Sequence, residues 1–182
     1  RVLVLSDIFG VCAGLDRLLA DLSQAGAVVQ LIDPYQGKRQ QFADEASAYA
    51  AYIAQCGHDA YAAIAVQALQ SCSQPFDLAI GFSAGATALW RALAATYNSK
   101  LKQAILFYPG QLHQHLALTP QVPTQVIFGH SEPHFAVADI CQQLGQHEHA
   151  AQYQSEANSR DLSIHLVMPI ITKCSLCPFS LH

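Results

Sequence analysis

The chain of 182 residues is 52% hydrophobic and only 12% charged, with a formal net charge of −4. That length suits one domain with a substantial core and is too short for two of ordinary size. The balance excludes a disordered chain, and the nine Lys and Arg are scattered without forming a basic stripe, so nucleic acid is not an expected partner.

The longest apolar runs, residues 62–66 and 164–171 among them, fall well short of the ~20 residues that span a bilayer. No charged n-region leads into an apolar h-region and a cleavage site, so neither membrane insertion nor export is expected. The six cysteines then read as reduced thiols of a cytoplasmic protein. Cys174-Ser175-Leu176-Cys177 is a single CxxC without a second pair, and it does not open a helix after a strand. No metal and no cofactor is assigned.

In chain order, residues 2–6 (Val-Leu-Val-Leu-Ser) read as a short buried parallel strand. Residues 15–24 carry Leu15, Leu18, Leu19 and Leu22 at helical spacing, with Gly26 as C-cap. Residues 27–32 form a second strand, stopped by Asp33-Pro34. Two Ala-rich helices follow over 42–55 and 59–71, broken at Gly57-His58, with Asp59 as N-cap of the second. A third strand spans 76–80 and a helix 84–97; a fourth strand at 104–108 ends on Pro109-Gly110. A fifth strand is expected over 125–128, a helix over 135–144 and a sixth strand over 162–167, while residues 170–182 match no element.

Strands alternating with helices of 10–15 residues predict an α/β fold with a doubly wound, mostly parallel sheet and helices on both faces, a three-layer sandwich. We expect a single domain over 1–182 with an irregular tail at 170–182. In such a sheet the ligand site lies at the carboxyl ends of the strands. Those ends are Asp7-Ile8-Phe9-Gly10, Asp33-Pro34-Tyr35, Ser83, Tyr108-Pro109-Gly110 and residues 129–134.

Gly81-Phe82-Ser83-Ala84-Gly85 sits between the third strand and an Ala-rich helix, the context of a nucleophile elbow. Small flanking residues let strand and helix approach, and a helix N-terminus favours developing negative charge. The competing reading is a Gly-rich turn whose serine caps the helix. A serine nucleophile needs a base, and the base needs an orienting acid, in the chain order Ser, acid, His. Glu132, just past the fifth strand, is the acid candidate; Asp139 fits less well, and the competing reading places Glu132 in the N-cap region of the following helix, ahead of Pro133.

Leu5-Ser6-Asp7-Ile8-Phe9-Gly10-Val11, Ile32-Asp33-Pro34-Tyr35, the elbow and Glu132-Pro133-His134-Phe135 together resemble the dienelactone hydrolase family, in order and spacing over most of residues 2–145. The resemblance implies an α/β-hydrolase fold and a small ester, lactone or thioester as substrate, hydrolysed through an acyl-enzyme by a monomer or dimer. It implies an acidic residue, Asp7, beside the nucleophile, and an oxyanion hole from the Ile8 and Ala84 amides. Glu132 stands where the family carries Asp, and Ser83 where the founding lactonases carry cysteine. No arginines match those that hold the lactone's carboxylate.

The family's histidine follows the last strand, yet residues 170–174 are Ile-Ile-Thr-Lys-Cys. His182 is therefore the first candidate, with His130, His134, His113, His115 and His165 as substitutes. Two alternatives follow from the missing histidine: a C-terminus that differs from those of relatives, and a catalytically silent fold that binds a small molecule or a partner. A flavodoxin-like domain would share the sheet but leaves the elbow unexplained.

Overall fold

A computed structural model describes residues 1–97, 100–128, 137–145 and 150–154. The described chain alternates strand and helix: β1 (Val2–Leu5), α1 (Ala13–Gln24), β2 (Val29–Ile32), α2 (Glu45–Gln55), α3 (Gly57–Ser71), β3 (Leu78–Phe82), α4 (Ala84–Ala95), β4 (Ala104–Phe107), β5 (Thr124–Phe128), α5 (Val137–Leu144) and β6 (Ala150–Gln154). The six strands form one sheet in the order β2-β1-β3-β4-β5-β6, and every neighbouring pair is parallel.

Side chains on a strand point alternately to its two faces, and β1 divides the core accordingly. Leu3 and Leu5 join the cluster under α2, α3, α4 and α5, with Tyr52, Tyr61, Leu89, Trp90 and Ile140. Val2 and Val4 join the cluster under α1, with Leu15, Leu18 and Leu22. Burial on both faces explains why β1, β3 and β4 carry no polar side chain. The result is the expected three-layer sandwich.

Several boundaries differ from the sequence expectation. The third strand runs over Leu78–Phe82 rather than 76–80, so Gly81 and Phe82 belong to the ladder, opposite Leu5 and Phe107. Phe76 makes only an isolated bridge to Leu101. Asp59 is not an N-cap: α3 starts at Gly57, whose φ is +74°, and Asp59 instead pairs with Arg91 at 2.7 Å. The cap that does form is Asp44, in a capping box with Ser47, and it starts α2 three residues later than expected. β6 was not foreseen, and the strand expected over 162–167 lies outside the described residues, as does the tail at 170–182.

After β1 the chain steps outward to β2, then crosses back to form β3 on the other side of β1. The strand order reverses there, which opens a crevice between the carboxyl ends of β1 and β3. Asp7 and Ile8 leave β1 at that crevice, and Ser83 leaves β3.

Candidate active site

Ser83 stands between β3 and α4 with φ 47° and ψ −113°. A positive φ is costly for a residue with a Cβ, and it persists only where surrounding structure enforces it. Two glycines do so here. A Cβ on Gly81 would lie 2.6 Å from the Ala86 Cα. One on Gly85 would collide with the Ser6 carbonyl oxygen and lie 2.8 Å from that of Leu5. The first turn of α4 therefore rests directly on the backbone of β1, and the chain must turn sharply at Ser83 to get there.

Hydrogen bonds complete the turn. The Ser83 N–H donates to the Phe107 carbonyl at 3.0 Å, and the Ser83 carbonyl accepts from the Thr87 N–H at 3.1 Å. The Ser83 hydroxyl does not cap α4, which removes the reading of Ser83 as a capping serine. It faces the loop after β4, where a Cβ on Gly110 would stand 3.8 Å from Oγ. Thr87 ties that loop to the elbow, accepting from the Gln111 N–H at 3.4 Å. The Ala84 N–H, first in α4, is among the amides a helix cannot satisfy internally.

Across the crevice, Asp7 is buried, 7% exposed. Its Oδ1 accepts from the Phe9 N–H at 2.9 Å, an Asx turn that redirects the chain out of the sheet. Burial pushes its carboxyl up to about 6, against a weaker opposing pull from the Phe9 and Gly10 amides. Asp33 makes the matching turn after β2, accepting from Tyr35 N–H at 2.8 Å and Gly37 N–H at 2.7 Å. Tyr35 is thereby carried back toward β1, where its hydroxyl donates to the Ile8 carbonyl at 2.6 Å. Burial first, and the Asp7 charge second, push that phenol up to about 12, so it remains a donor at neutral pH.

Ser83, Ala84, Asp7 and Ile8 are thus brought to one crevice. Glu132 and His182 lie outside the described residues, as do His130, His134 and His165. His113 is exposed beside Gln114. The His115 carbonyl accepts from Trp90 Nε1 at 3.0 Å, and burial lowers the pKa of its imidazole. Among the described residues neither histidine is hydrogen-bonded to Ser83, and no group of three or more His, Cys, Asp or Glu is arranged to hold a metal. Nor is any described helix long and apolar enough to cross a membrane. Sequence reasoning gave no role to Ser6, Tyr35 or Thr87. The available signal for Tyr35 was the Asp-Pro-Tyr turn closing a strand, which returns an aromatic hydroxyl to the sheet's rim.

The model of the dienelactone hydrolase family matches residues 1–159. No curated protein matches the chain. Among solved structures, a cold-adapted esterase from an Arctic intertidal metagenomic library superposes with a TM-score of 0.60 at 14% identity, covering 95% of this chain and 80% of that one. A dienelactone hydrolase-like promiscuous phosphotriesterase from metagenomic libraries gives 0.56 at 16%, with coverage of 96% and 84%. The thioesterase domain from the curacin biosynthetic pathway gives 0.58 at 13%, with coverage of 96% and 89%. At such identities these likenesses speak for the fold.

Proposed function

Because this chain belongs to the dienelactone hydrolase family, we propose that it hydrolyses a small ester, lactone or thioester with Ser83 as nucleophile. Ser83 Oγ bonds the substrate's carbonyl carbon while its proton passes to an imidazole, and the Ile8 and Ala84 amides take the oxyanion. The tetrahedral adduct collapses, the bond to the leaving oxygen or sulfur breaks, and the imidazolium returns the proton to that atom. Water then repeats the sequence on the acyl-serine and releases the acid. Glu132 orients the imidazole, and His182 is the first candidate to carry it. We further propose one domain over 1–182, working in the cytoplasm without a cofactor.

The observation that carries this reading is the state of Ser83: a positive φ of 47° enforced by glycine packing, with a hydroxyl left out of helix capping. Strain of that kind needs a purpose, and presenting a nucleophile is one. The family match favours hydrolysis over a silent binding fold.

A fluorophosphonate probe tests it. Wild-type protein takes up the probe at Ser83, and Ser83→Ala takes up none. The same variant loses p-nitrophenyl acetate turnover by roughly a thousandfold or more. A folded wild-type chain that takes no label overturns the assignment.

A further inference from the structure

The oxyanion role of Ile8 depends on where its N–H points, and a loop amide has no helix or sheet to fix it. Two consecutive peptides meet at Ile8, and their four polar groups can each be followed. The Asp7 carbonyl accepts from the Ser6 hydroxyl at 3.1 Å and from the Gly10 N–H at 3.3 Å. The Ile8 carbonyl accepts from the Tyr35 hydroxyl at 2.6 Å. The Phe9 N–H donates to Asp7 Oδ1 at 2.9 Å. Among the described residues three of the four groups are thus engaged, and the fourth is the Ile8 N–H.

A planar trans peptide points its N–H opposite to its C=O. Holding the Asp7 carbonyl therefore aims the Ile8 N–H the other way, and holding the next peptide at both ends prevents rotation about the Ile8 backbone. Tyr35 supplies the shortest of these bonds and the longest lever, since it arrives from β2 rather than from the loop itself. Its ring is wedged against Gly10, where a Cβ would come within 2.6 Å of Tyr35 Cδ2, and it packs against Phe42 at 6.0 Å between centroids. The hydroxyl is held in place by a side chain that cannot swing away.

We propose that Tyr35 is a positioning residue of the oxyanion hole: by holding the Ile8 carbonyl, it keeps the Ile8 N–H aimed at the developing oxyanion. This rests on the proposed role of Ile8. A preorganised donor stabilises charge only as it develops, so its loss falls on turnover rather than on ester binding.

The test compares wild type, Tyr35→Phe and Ser83→Ala on p-nitrophenyl acetate, with turnover counted per fluorophosphonate-reactive site and with phenylboronic acid as the probe, since its boron becomes tetrahedral and anionic when the serine oxygen adds to it. Tyr35→Phe keeps the ring wedge and removes only the hydroxyl. It is expected to lower kcat about tenfold, part of what deleting a whole oxyanion donor costs, with KM changed less than about twofold and boronate inhibition weakened by the same factor as kcat. A purely structural role would lower the melting temperature and the number of reactive sites but leave kcat per site and boronate affinity unchanged, and that result overturns the proposal. Should Tyr35→Phe fail to fold, Tyr35→Leu, which also lacks the hydroxyl, takes its place and must show the same split between kcat and KM, with boronate inhibition weakened alongside kcat; the absence of that split overturns the proposal equally. If Ser83→Ala turns over as fast as wild type, the nucleophile itself is misassigned, a failure seen without reference to Tyr35.

Discussion

The exits of β3 and β1 face each other across the crevice, and they are held by opposite means. At the β3 exit the geometry is imposed by missing side chains: Gly81 and Gly85 let α4 rest on the strands, and Ser83 absorbs the strain at φ 47°. At the β1 exit the geometry is imposed by side chains: Ser6, Asp7 and Tyr35 each hold a backbone group. Steric packing fixes a position against rigid backbone and costs no desolvation. Hydrogen bonding fixes an orientation, but it brings a carboxyl into the core and shifts its titration to about pH 6. The first exit has to place an atom; the second has to aim an amide.

The comparison breaks most violently at Gly85. Gly85→Ala drives a methyl group into the Ser6 and Leu5 carbonyl oxygens, and both belong to or adjoin a central strand that cannot retreat. Overpacking of this sort costs typically 1–3 kcal/mol and more against backbone, so we expect a loss of about 3 kcal/mol or more in urea unfolding. If Gly85→Ala were as stable as wild type, the steric account of the β3 exit would be wrong.

Asp7 tests the polar exit next. Its carboxyl is pushed from 3.8 to about 6 by burial, so the folded state holds the proton more tightly than the unfolded chain. Below about pH 4 both states are protonated and nothing is lost. As pH rises through 4 to 6 the cost of the buried charge appears, and above 6 it is present in full, up to about 3 kcal/mol at roughly 1.4 kcal/mol per pH unit. Asp7→Asn retains an oxygen for the Phe9 N–H and removes the titration. The difference in unfolding free energy between variant and wild type should grow in the variant's favour from pH 4 to 6 and then level. A difference that is flat across that window contradicts the buried, protonatable carboxyl.

The β3 exit was legible in the sequence and the β1 exit only half so, for a physical reason. Steric requirements leave a local signature, since only Gly fits where backbones touch, and so Gly81 and Gly85 could be read directly. Even there, the ladder ran two residues further than expected, because Gly81 serves the strand as well as the turn. A polar clamp, by contrast, joins residues distant in the chain: Tyr35 reaches Ile8 across 27 positions, and nothing in either segment names the other. The same holds for Asp59, whose position suggested a cap until Arg91 from α4 was seen to claim it. β6 is Ala-Ala-Gln-Tyr-Gln, poor in β-branched residues, and its strand conformation comes from pairing with β5 rather than from propensity. Glu132 and His182 fall outside the described residues.

The smallest effect is expected from the Thr87 hydroxyl, a side-chain hydrogen-bonding group at the β3 exit. Thr87 Oγ1 donates to the Ser83 carbonyl at 3.4 Å and accepts from the Gln111 N–H at 3.4 Å, both long for hydrogen bonds. The Ser83 carbonyl also has the Thr87 N–H at 3.1 Å, so it keeps a donor when the hydroxyl is gone. Thr87→Val preserves shape and β-branching at a buried site, and should cost about 1 kcal/mol or less. If glycine packing sets the elbow, fluorophosphonate labelling of Thr87→Val proceeds within about twofold of the wild-type rate. A tenfold slower reaction would mean that this exit, too, is aimed by hydrogen bonds, and the contrast between the two sides of the crevice would disappear.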